Sequence, residues 1–249
     1  MSNKWNIPIL FEDKNYVVID KPAGILVHGN GKEAGPFLAD WFIETYPKSK
    51  NVGEPARSED GDDIERSGVV HRLDKETTGV LIFAKTKEGY ESLKSQFQNR
   101  EVKKTYLAFV WGEMKEEFGT IDRPIGRSSG DFRKWSAQRG TRGETREAET
   151  YWTKKGVIDL EKEGKVSLVE AEPKTGRTHQ IRVHLNAIHH PVIGDALYAP
   201  KRPQILGFKR LALHSRNIDF DDLSGKKIHI ESPLPVDFAA VVNEYKLKI

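Results

Sequence analysis

Four short segments of the chain carry side chains whose types and spacing could do chemistry. The first is residues 69–79 (VVHRLDKETTG), in which apolar residues lead into His71, Arg72 and Asp74 before a turn. A rigid scaffold can present a carboxylate in this position, between an apolar segment and a turn, as a catalytic group. The alternative is a structural Asx turn, in which Asp74 bonds the backbone of the following threonines, and the residues alone favour this alternative.

The second segment, residues 175–185 (TGRTHQIRVHL), predicts the start of a helix with Thr178 as its cap. Arg182 would lie in the first two turns, where its planar fork could bind a carboxylate or a phosphate. His179 and His184 are five residues apart, which is not the i, i+4 spacing of a helical zinc pair, and the chain has no HExxH motif. A metal site is therefore not expected here.

The third segment, residues 103–111 (KKTYLAFVW), is the clearest strand, with Tyr106, Ala108 and Val110 on one face. Because its neighbours on that face are apolar, the Tyr106 hydroxyl could open onto a cleft. A core tyrosine with a satisfied hydroxyl is an equal alternative. The fourth segment, residues 21–24 (KPAG), is by itself only a turn.

The composition excludes several classes of protein. The chain has 249 residues, 37% hydrophobic and 31% charged, which is typical of a globular enzyme or binding protein. It contains no cysteine, which excludes disulfides, thiolate metal sites and a catalytic cysteine. The N-terminus lacks the features of a secretory signal, and no apolar run approaches the roughly 18 residues of a membrane span. The expected location is the cytoplasm and the expected state is a monomer.

The charge is distributed unevenly, although the net charge of +3 is too small to indicate a partner. Residues 54–65 carry six acids and one arginine, a local charge of −5, whereas residues 123–146 carry seven bases and two acids, a local charge of +5. Residues 201–216 add five bases and no acid. The aromatic residues in the basic segments are Phe132, Trp135 and Phe208. Such segments suit a phosphate backbone and stacked bases, with a solvated surface as an equal alternative.

The apolar patterns mix strands and helices without a regular βαβ alternation, which favours an α+β fold. They predict a hairpin over residues 9–20, helices over 37–46, 178–188 and 236–245, and a helix that Thr86 caps and residues 99–100 end. Residues 47–67 are polar and acidic and predict a surface loop rather than a domain linker. Residues 127–142 are rich in glycine, serine and arginine and are expected to be mobile before RNA binds.

Taken together, the order KPAG, HRLDKETTG, KKTYLAFVWG and GRTHQIRVHL, followed by HHPVIGDALYA, resembles the RluA-type family of RNA pseudouridine synthases. The resemblance spans residues 10–220, and the HRLD and GRTHQIRVH blocks are highly specific. It implies one catalytic domain over residues 1–249, of α+β type, with a long mixed and mainly antiparallel sheet, flanking helices and a central RNA-binding cleft. It also implies RNA as the partner, with no cofactor and no metal.

The same resemblance assigns roles to individual residues. Asp74 matches the catalytic aspartate, Tyr106 the tyrosine that packs on the target base and serves as general base, and Arg182 the arginine that pairs with the aspartate. Arg72 matches the residue that enters the helical stack where the target nucleotide leaves it. The other predicted RNA-binding residues are His71, Arg133, Lys134, Arg139, Arg177 and His179.

The reaction that this implies converts uridine in structured rRNA or tRNA to pseudouridine. The N1–C1′ bond breaks, the uracil rotates, and it rejoins the sugar through C5. The Asp74 carboxylate can add to C1′ or assist elimination to a glycal, and the sequence does not decide between these routes. A non-catalytic RNA-binding protein would not need Asp74, Tyr106 and Arg182 together. A hydrolase would need a second carboxylate or histidine beside them, and none is obvious.

The sequence departs from many relatives at its N-terminus. Those relatives carry an alpha-L RNA-binding domain before the catalytic one, and such a domain is not expected here, because the family pattern begins at residue 11. RNA contact is therefore expected from residues 123–146 and 201–216. The acidic residues 54–65 repel phosphate and are expected either to lie away from the RNA or to form a mobile loop.

Overall fold

The computed structural model describes residues 5–29, 35–54, 56–57, 63–64, 66–138 and 141–249. The chain forms two compact units, the first of Met1–Lys103 with Ser215–Pro233 and the second of Lys104–His214 with Leu234–Ile249. Each unit combines antiparallel strands with helices, which confirms the predicted α+β class. The assignment of residues 1–249 to a single catalytic domain stays a prediction.

The elements follow one another in chain order. They are β1 (Ile9–Glu12), β2 (Tyr16–Lys21), α1 (Leu38–Thr45), β3 (Ala56–Arg57), β4 (Asp63–Ile64), β5 (Thr78–Ala84), α2 (Lys87–Gln98), β6 (Lys103–Trp111), β7 (Phe118–Asp122), β8 (Ile125–Ser128), β9 (Trp135–Ser136), β10 (Thr141–Arg146), β11 (Glu149–Asp159), β12 (Lys165–Pro173), α3 (Gln180–Ala187), β13 (Leu213–Asp221), β14 (Lys227–Glu231) and α4 (Val236–Glu244).

In the first unit, β2 pairs antiparallel with both β1 and β5, and β13 pairs antiparallel with β14. The predicted hairpin over residues 9–20 is therefore confirmed. All seven residues of β5 are buried, because helices and loops cover both faces of this strand. Helix α2 begins where expected, since the Thr86 hydroxyl accepts a hydrogen bond from the Gly89 N–H at 3.1 Å. Its Tyr90 and Leu93 join the apolar core around β5.

In the second unit, β6, β12, β11 and β7 pair in that order, each antiparallel to the next. Six of the nine residues of β6 are buried, from Tyr106 to Trp111, so apolar side chains lie on both faces of this strand. The register places Tyr106 opposite Ala171 of β12. Strand β6 is thus a rigid support for the tyrosine that the sequence singled out.

Residues 127–142 form more regular structure than the sequence predicts. Strands β8, β9 and β10 form a three-stranded antiparallel sheet, which includes residues 127–128, 135–136 and 141–142 of the segment expected to be mobile. Residues 139 and 140 lie outside the described residues. Ser128 and Ser136 lie in strands, whereas Ser129 and Gly130 form the bend that follows β8.

The structure differs from two other predictions, the start of α3 and the surface loop over residues 47–67. Helix α3 begins at Gln180 and not at Thr178, and its N-cap is His179, which has a left-handed backbone (φ 55°) and makes no side-chain cap bond. Within residues 47–67, Ser49, Val52 and Ser67 are buried, so the ends of the predicted surface loop pack into the first unit. Residues 55, 58–62 and 65 of that segment are outside the described part. None of the helices in the described ranges is long and apolar enough to cross a membrane.

Candidate active site

Asp74 lies in the first unit, in a tight turn that leads into β5. The Thr77 N–H donates to the Asp74 carbonyl oxygen at 3.1 Å, which closes a four-residue turn. The Thr77 N–H is therefore bound by a backbone carbonyl, and this hydrogen bond does not involve the Asp74 carboxylate. The Asp74 residue is partly exposed.

Lys21 fixes this turn from the inside of the unit, and the sequence alone did not indicate that role. The side chain is fully buried, and its Nζ donates to the carbonyl oxygens of Pro22, Lys75 and Thr77 at 2.8, 2.9 and 3.0 Å. An ammonium group has three N–H donors, so all three find acceptors. Gly24 adds a backbone bond to the Lys75 carbonyl at 2.9 Å, from a left-handed conformation (φ 86°) that favours glycine. The KPAG segment is thus the support of the Asp74 turn.

The two residues before this turn differ in their surroundings. His71 Nε2 accepts a hydrogen bond from the Ile82 N–H of β5 at 3.1 Å, and the imidazole stacks on Phe97 at 5.0 Å. These contacts give His71 a structural role, and the RNA contact predicted for it stays a prediction. Arg72 is exposed, as a residue that enters a nucleic-acid stack must be.

Beside Arg72, the same unit holds a buried histidine and a second arginine, and the sequence did not indicate a role for either. His28 is buried, and burial lowers its pKa to about 4, with the charges of Arg66 and Arg72 acting in the same direction. Burial and the charge of Arg72 also lower the pKa of Arg66. The Arg66 Nε is buried without a hydrogen-bond partner among the described residues. An anion such as a phosphate would accept a hydrogen bond from the Arg66 Nε and offset the charges of Arg66 and Arg72.

Tyr106 lies in the second unit on β6 and is 8% exposed. Lys104 precedes it by two residues on the same face of the strand. Burial lowers the pKa of Lys104 to about 8, so this ammonium group loses its proton more readily than a lysine in water. Only its spacing from Tyr106 could have identified Lys104 in the sequence.

Arg182 is the third residue of α3 and is held by a carboxylate of its own unit. Its Nε and Nη2 donate to the two oxygens of Asp195 at 2.8 and 2.9 Å, and the Asp195 side chain is fully buried. Asp195 Oδ1 also accepts the N–H groups of Leu197 and Tyr198, both at 3.0 Å. Asp195 belongs to the HHPVIGDALYA block, but its pairing with Arg182 was not predicted. The pairing of Arg182 with Asp74 stays a prediction.

Tyr198 connects this ion pair to two other predicted segments. The Arg182 guanidinium lies over the Tyr198 ring at 5.0 Å. The Tyr198 hydroxyl accepts the Trp135 N–H at 3.1 Å and lies 2.9 Å from His179 Nδ1. The structure therefore brings Arg182 and His179 together around one tyrosine. Arg177 lies apart from them, with its Nε donating to the Glu147 carbonyl at 2.9 Å.

Two buried side chains of α3, His184 and Gln180, have structural roles. His184 Nε2 donates to the Arg123 carbonyl at 3.0 Å, so its Nδ1 is the acceptor that faces the Thr150 hydroxyl at 2.9 Å. Burial lowers the pKa of His184, which keeps this imidazole neutral. Gln180 accepts from Thr175 and Arg177, and thereby orders the first turn in place of the expected Thr178 cap.

The predicted RNA-binding bases of residues 123–146 are placed differently from one another. Exposed Arg133 donates through Nε and Nη2 to Asp131 at 3.1 and 2.9 Å. These hydrogen bonds lower the pKa of Asp131 to about 2, so the carboxylate stays charged and competes with a phosphate for Arg133. Lys134 is partly exposed, and Arg139 lies outside the described residues. No group of three or more histidine, aspartate or glutamate side chains in the described ranges is arranged to hold a metal ion.

Comparisons with known proteins identify the family of this chain. Residues 15–187 match the family model described as RNA pseudouridylate synthase. The chain is 34% identical to an uncharacterised RNA pseudouridine synthase of Synechocystis sp., over 94% of this chain and 68% of that protein. It is 38% identical to the ribosomal large subunit pseudouridine synthase D of Nitrosomonas europaea, over 95% of this chain and 64% of that protein.

A solved structure supports the same conclusion at the level of the fold. The human RNA pseudouridylate synthase domain containing 4 superposes with a TM-score of 0.71 and 27% identity, covering 97% of this chain and 94% of that one. The resemblance inferred from the sequence blocks and the fold it implied are both confirmed. The chain belongs to the RNA pseudouridylate synthase family, and its members are isomerases.

Proposed function

We propose that this chain isomerises specific uridines in structured rRNA or tRNA, with Asp74 as the nucleophile, Tyr106 as the general base and Arg182 as the partner of the aspartate. The observation that carries the proposal is the construction of the Asp74 turn. A buried ammonium group, Lys21, holds two carbonyl groups of the turn, and the residue that the turn presents is a carboxylate. Buried hydrogen bonds that fix the backbone around one side chain are typical of a functional site, whose geometry must be maintained.

The proposed chemistry moves bonds without adding or removing atoms. The Asp74 carboxylate adds to C1′ or assists elimination there, and the N1–C1′ bond breaks with its electron pair on uracil. After rotation, C5 bonds to C1′. On the addition route, the Asp74–C1′ bond breaks in this step and frees the carboxylate; on the glycal route, C2′ regains the proton that it lost in the elimination. Tyr106 then removes the C5 proton, and N1 gains a proton. A tyrosine suffices for this last step, because loss of the C5 proton restores the conjugated ring and needs no strong base.

RNA binding is proposed to use the charges of both units. In the first unit, exposed Arg72 fills the space that the target nucleotide leaves, and Arg66 provides a further donor beside it. In the second unit, the basic sheet β8–β10 contacts phosphates. Ribosomal RNA is one candidate substrate because the relative from Nitrosomonas europaea is named for the large ribosomal subunit. Mapping pseudouridines in total rRNA and tRNA with and without the gene would identify the modified positions.

The Asp74→Asn variant tests the nucleophile. The amide has almost the shape of the carboxylate, and the backbone bond that closes the turn remains. We expect pseudouridine formation to fall below detection, because no amide can add to C1′ or drive the elimination. RNA affinity should hold or rise slightly, since a negative charge leaves a phosphate-binding surface. Melting temperature, RNA affinity and pseudouridine yield should be measured on one preparation.

Glu76→Gln is the matched control, because it removes one negative charge from the same turn and keeps Asp74. This variant should remain active. If Asp74→Asn retains turnover within about tenfold of the parent, a barrier change of only ~1.4 kcal/mol, Asp74 is not the nucleophile. A non-catalytic RNA-binding protein would give no pseudouridine with either variant or with the parent.

A further inference from the structure

The three aromatic residues of the basic segments differ in their exposure to solvent. Phe208 is fully buried and packs against Phe109 and Phe238 at 5.3 and 5.2 Å. Trp135 is partly buried, and the guanidinium of Arg127 covers its ring at 4.3 Å. Phe132, in contrast, is 83% exposed. Of these three rings, Phe132 is therefore the one whose face a ligand can reach.

Phe132 stands in the β8–β9 loop, residues 129–134, which hydrogen bonds hold in one conformation. The Lys134 N–H donates to the Asp131 carbonyl at 2.9 Å, and the Ser128 N–H donates to the Lys134 carbonyl at 3.0 Å. Arg127 Nη1 binds the Phe132 carbonyl itself at 3.2 Å. Phe132 is the second residue of the turn over residues 131–134, which the bond between Asp131 and Lys134 closes. The backbone on both sides of Phe132 is therefore fixed.

Hydrogen bonds also hold charged side chains next to Phe132 in the chain. Asp131 accepts the Arg133 N–H and binds the Arg133 guanidinium, so the single acid is engaged within the loop. Arg127, Arg133 and Lys134 outnumber it, which leaves a positive charge beside an exposed aromatic face. Single exposed apolar residues are common on protein surfaces and need no explanation alone. Phe132 differs from these, because its backbone is held by hydrogen bonds and its neighbours in the chain are basic. One RNA ligand could contact both the ring, through a base, and the basic side chains, through phosphates.

We propose that Phe132 is a stacking residue for an unpaired base of the RNA, with Lys134 and Arg133 contacting the neighbouring phosphates. Aromatic side chains stack on bases that are splayed out of a helix, in loops, bulges and strand ends. The fixed loop lowers the entropy that would be lost on binding, since the backbone of Phe132 is already ordered. This inference rests on the proposed function, and it concerns a base other than the uridine that reacts.

The test compares Phe132→Ala with the parent on two RNA probes. One is a short hairpin whose open loop contains unpaired uridines, and the other is a blunt, fully paired duplex of the same length. We expect Phe132→Ala to weaken binding of the hairpin about tenfold, within the range for stacking of one base. Binding of the duplex should not change. The slope of log K against log salt should also stay unchanged, because no charge is removed. Phe132→Trp should bind the hairpin as the parent does.

Phe118 provides a matched control. It is 75% exposed in the same unit, but it lies outside the basic segments and follows Glu116 and Glu117, the second of which pairs with Lys154 at 2.8 Å. Phe118→Ala should bind both probes as the parent does. The inference is overturned if Phe132→Ala binds the hairpin within twofold of the parent, or if Phe118→Ala weakens binding equally. It is also overturned if Phe132→Ala instead abolishes self-association of the parent, which would make Phe132 a protein contact.

Measuring pseudouridine formation beside affinity separates this inference from the proposed function. If the parent forms no pseudouridine but Phe132→Ala still weakens hairpin binding, the proposed function is contradicted and the stacking role of Phe132 is supported. If the parent isomerises uridine but Phe132→Ala binds the hairpin like the parent, only the stacking role of Phe132 is contradicted. Melting temperatures should be the same for all variants, because the Phe132 side chain is almost wholly in solvent.

Discussion

Arg182 donates from one edge of its guanidinium to both oxygens of a buried aspartate, so its orientation is fixed within the second unit. The planar fork of arginine matches a carboxylate in two bonds, and lysine cannot reproduce that geometry. Asp195 is itself held by two backbone N–H groups. We therefore regard Asp195 as a positioning residue that acts through Arg182.

At the scale of single residues, we expect Arg182→Lys to be far from conservative. The charge remains, but the two-bond contact with Asp195 is lost. Turnover should fall at least tenfold while RNA affinity stays near that of the parent, because the loss is one of orientation. Asp195→Asn should act in the same direction and should also lower stability, since a buried guanidinium loses its counter-charge, at a cost of about 3–5 kcal/mol.

The measurement is kcat and KM for pseudouridine formation, together with melting temperature. Arg210→Lys is a suitable control, because Arg210 forms a comparable ion pair with Asp237 in the same unit. This control should lose some stability and keep its turnover. If Arg182→Lys is as active as the parent, Arg182 does not orient the nucleophile. If Asp195→Asn raises KM alone, Asp195 contributes to binding rather than to positioning.

At the scale of elements, local signals could be predicted from the sequence and non-local contacts could not. Helix α2 was predicted at both ends, because the Thr86 cap and the amphipathic spacing lie within the helix itself. The start of α3 was predicted wrongly, because Gln180 orders that turn through Glu149 and Thr150, some thirty residues earlier. The Lys21 contact with Lys75 and Thr77 likewise joins distant segments. Such contacts follow from packing, which no local pattern encodes.

The three-stranded sheet β8–β10 carries the next prediction, which concerns phosphate binding. Neutralising Arg133, Lys134 and Arg139 together should weaken RNA binding and flatten its dependence on salt, by roughly 0.7–0.9 in slope for each lost contact. Among the single variants, Lys134→Gln should have the larger effect. The Arg133 guanidinium is already bound to Asp131, so less of its charge acts on the RNA.

Binding should be measured over a series of salt concentrations for each variant and for Lys162→Gln. Lys162 is exposed in the turn between β11 and β12, outside the basic segments. The Lys162→Gln variant should bind with the slope of the parent. An unchanged slope in the triple variant would mean that residues 123–146 are only a solvated surface.

At the scale of the whole molecule, each unit buries a histidine that must stay neutral. In the first unit, His28 Nδ1 donates to the Gly29 carbonyl at 2.7 Å, and its pKa is lowered to about 4 by burial. In the second unit, His184 has a lowered pKa for the same reason. The sequence did not predict the lowered pKa of either histidine, because burial depends on the complete fold. Together they connect stability to pH.

The free energy of unfolding should fall as the solution is acidified below neutral pH. A histidine in the unfolded chain takes up a proton near pH 6.5, whereas folded His28 does so only near pH 4. Between these values the unfolded chain binds more protons, so acid favours unfolding. For His28 the contribution between pH 7 and pH 5 is about 2 kcal/mol, at 1.36 kcal/mol for each pKa unit. It levels off below about pH 4, where both states are protonated.

His28→Asn tests this, because the asparagine amide can replace the Nδ1–H donor and does not titrate. Urea unfolding at pH 7 and pH 5 should show that this variant loses less stability on acidification than the parent, by about 2 kcal/mol. The matched control is His189→Asn, at an exposed position whose left-handed backbone asparagine tolerates. It should keep the pH dependence of the parent. Equal losses of stability in the parent and in His28→Asn would show that His28 is protonated in the folded chain, and that its burial does not make the first unit sensitive to acid.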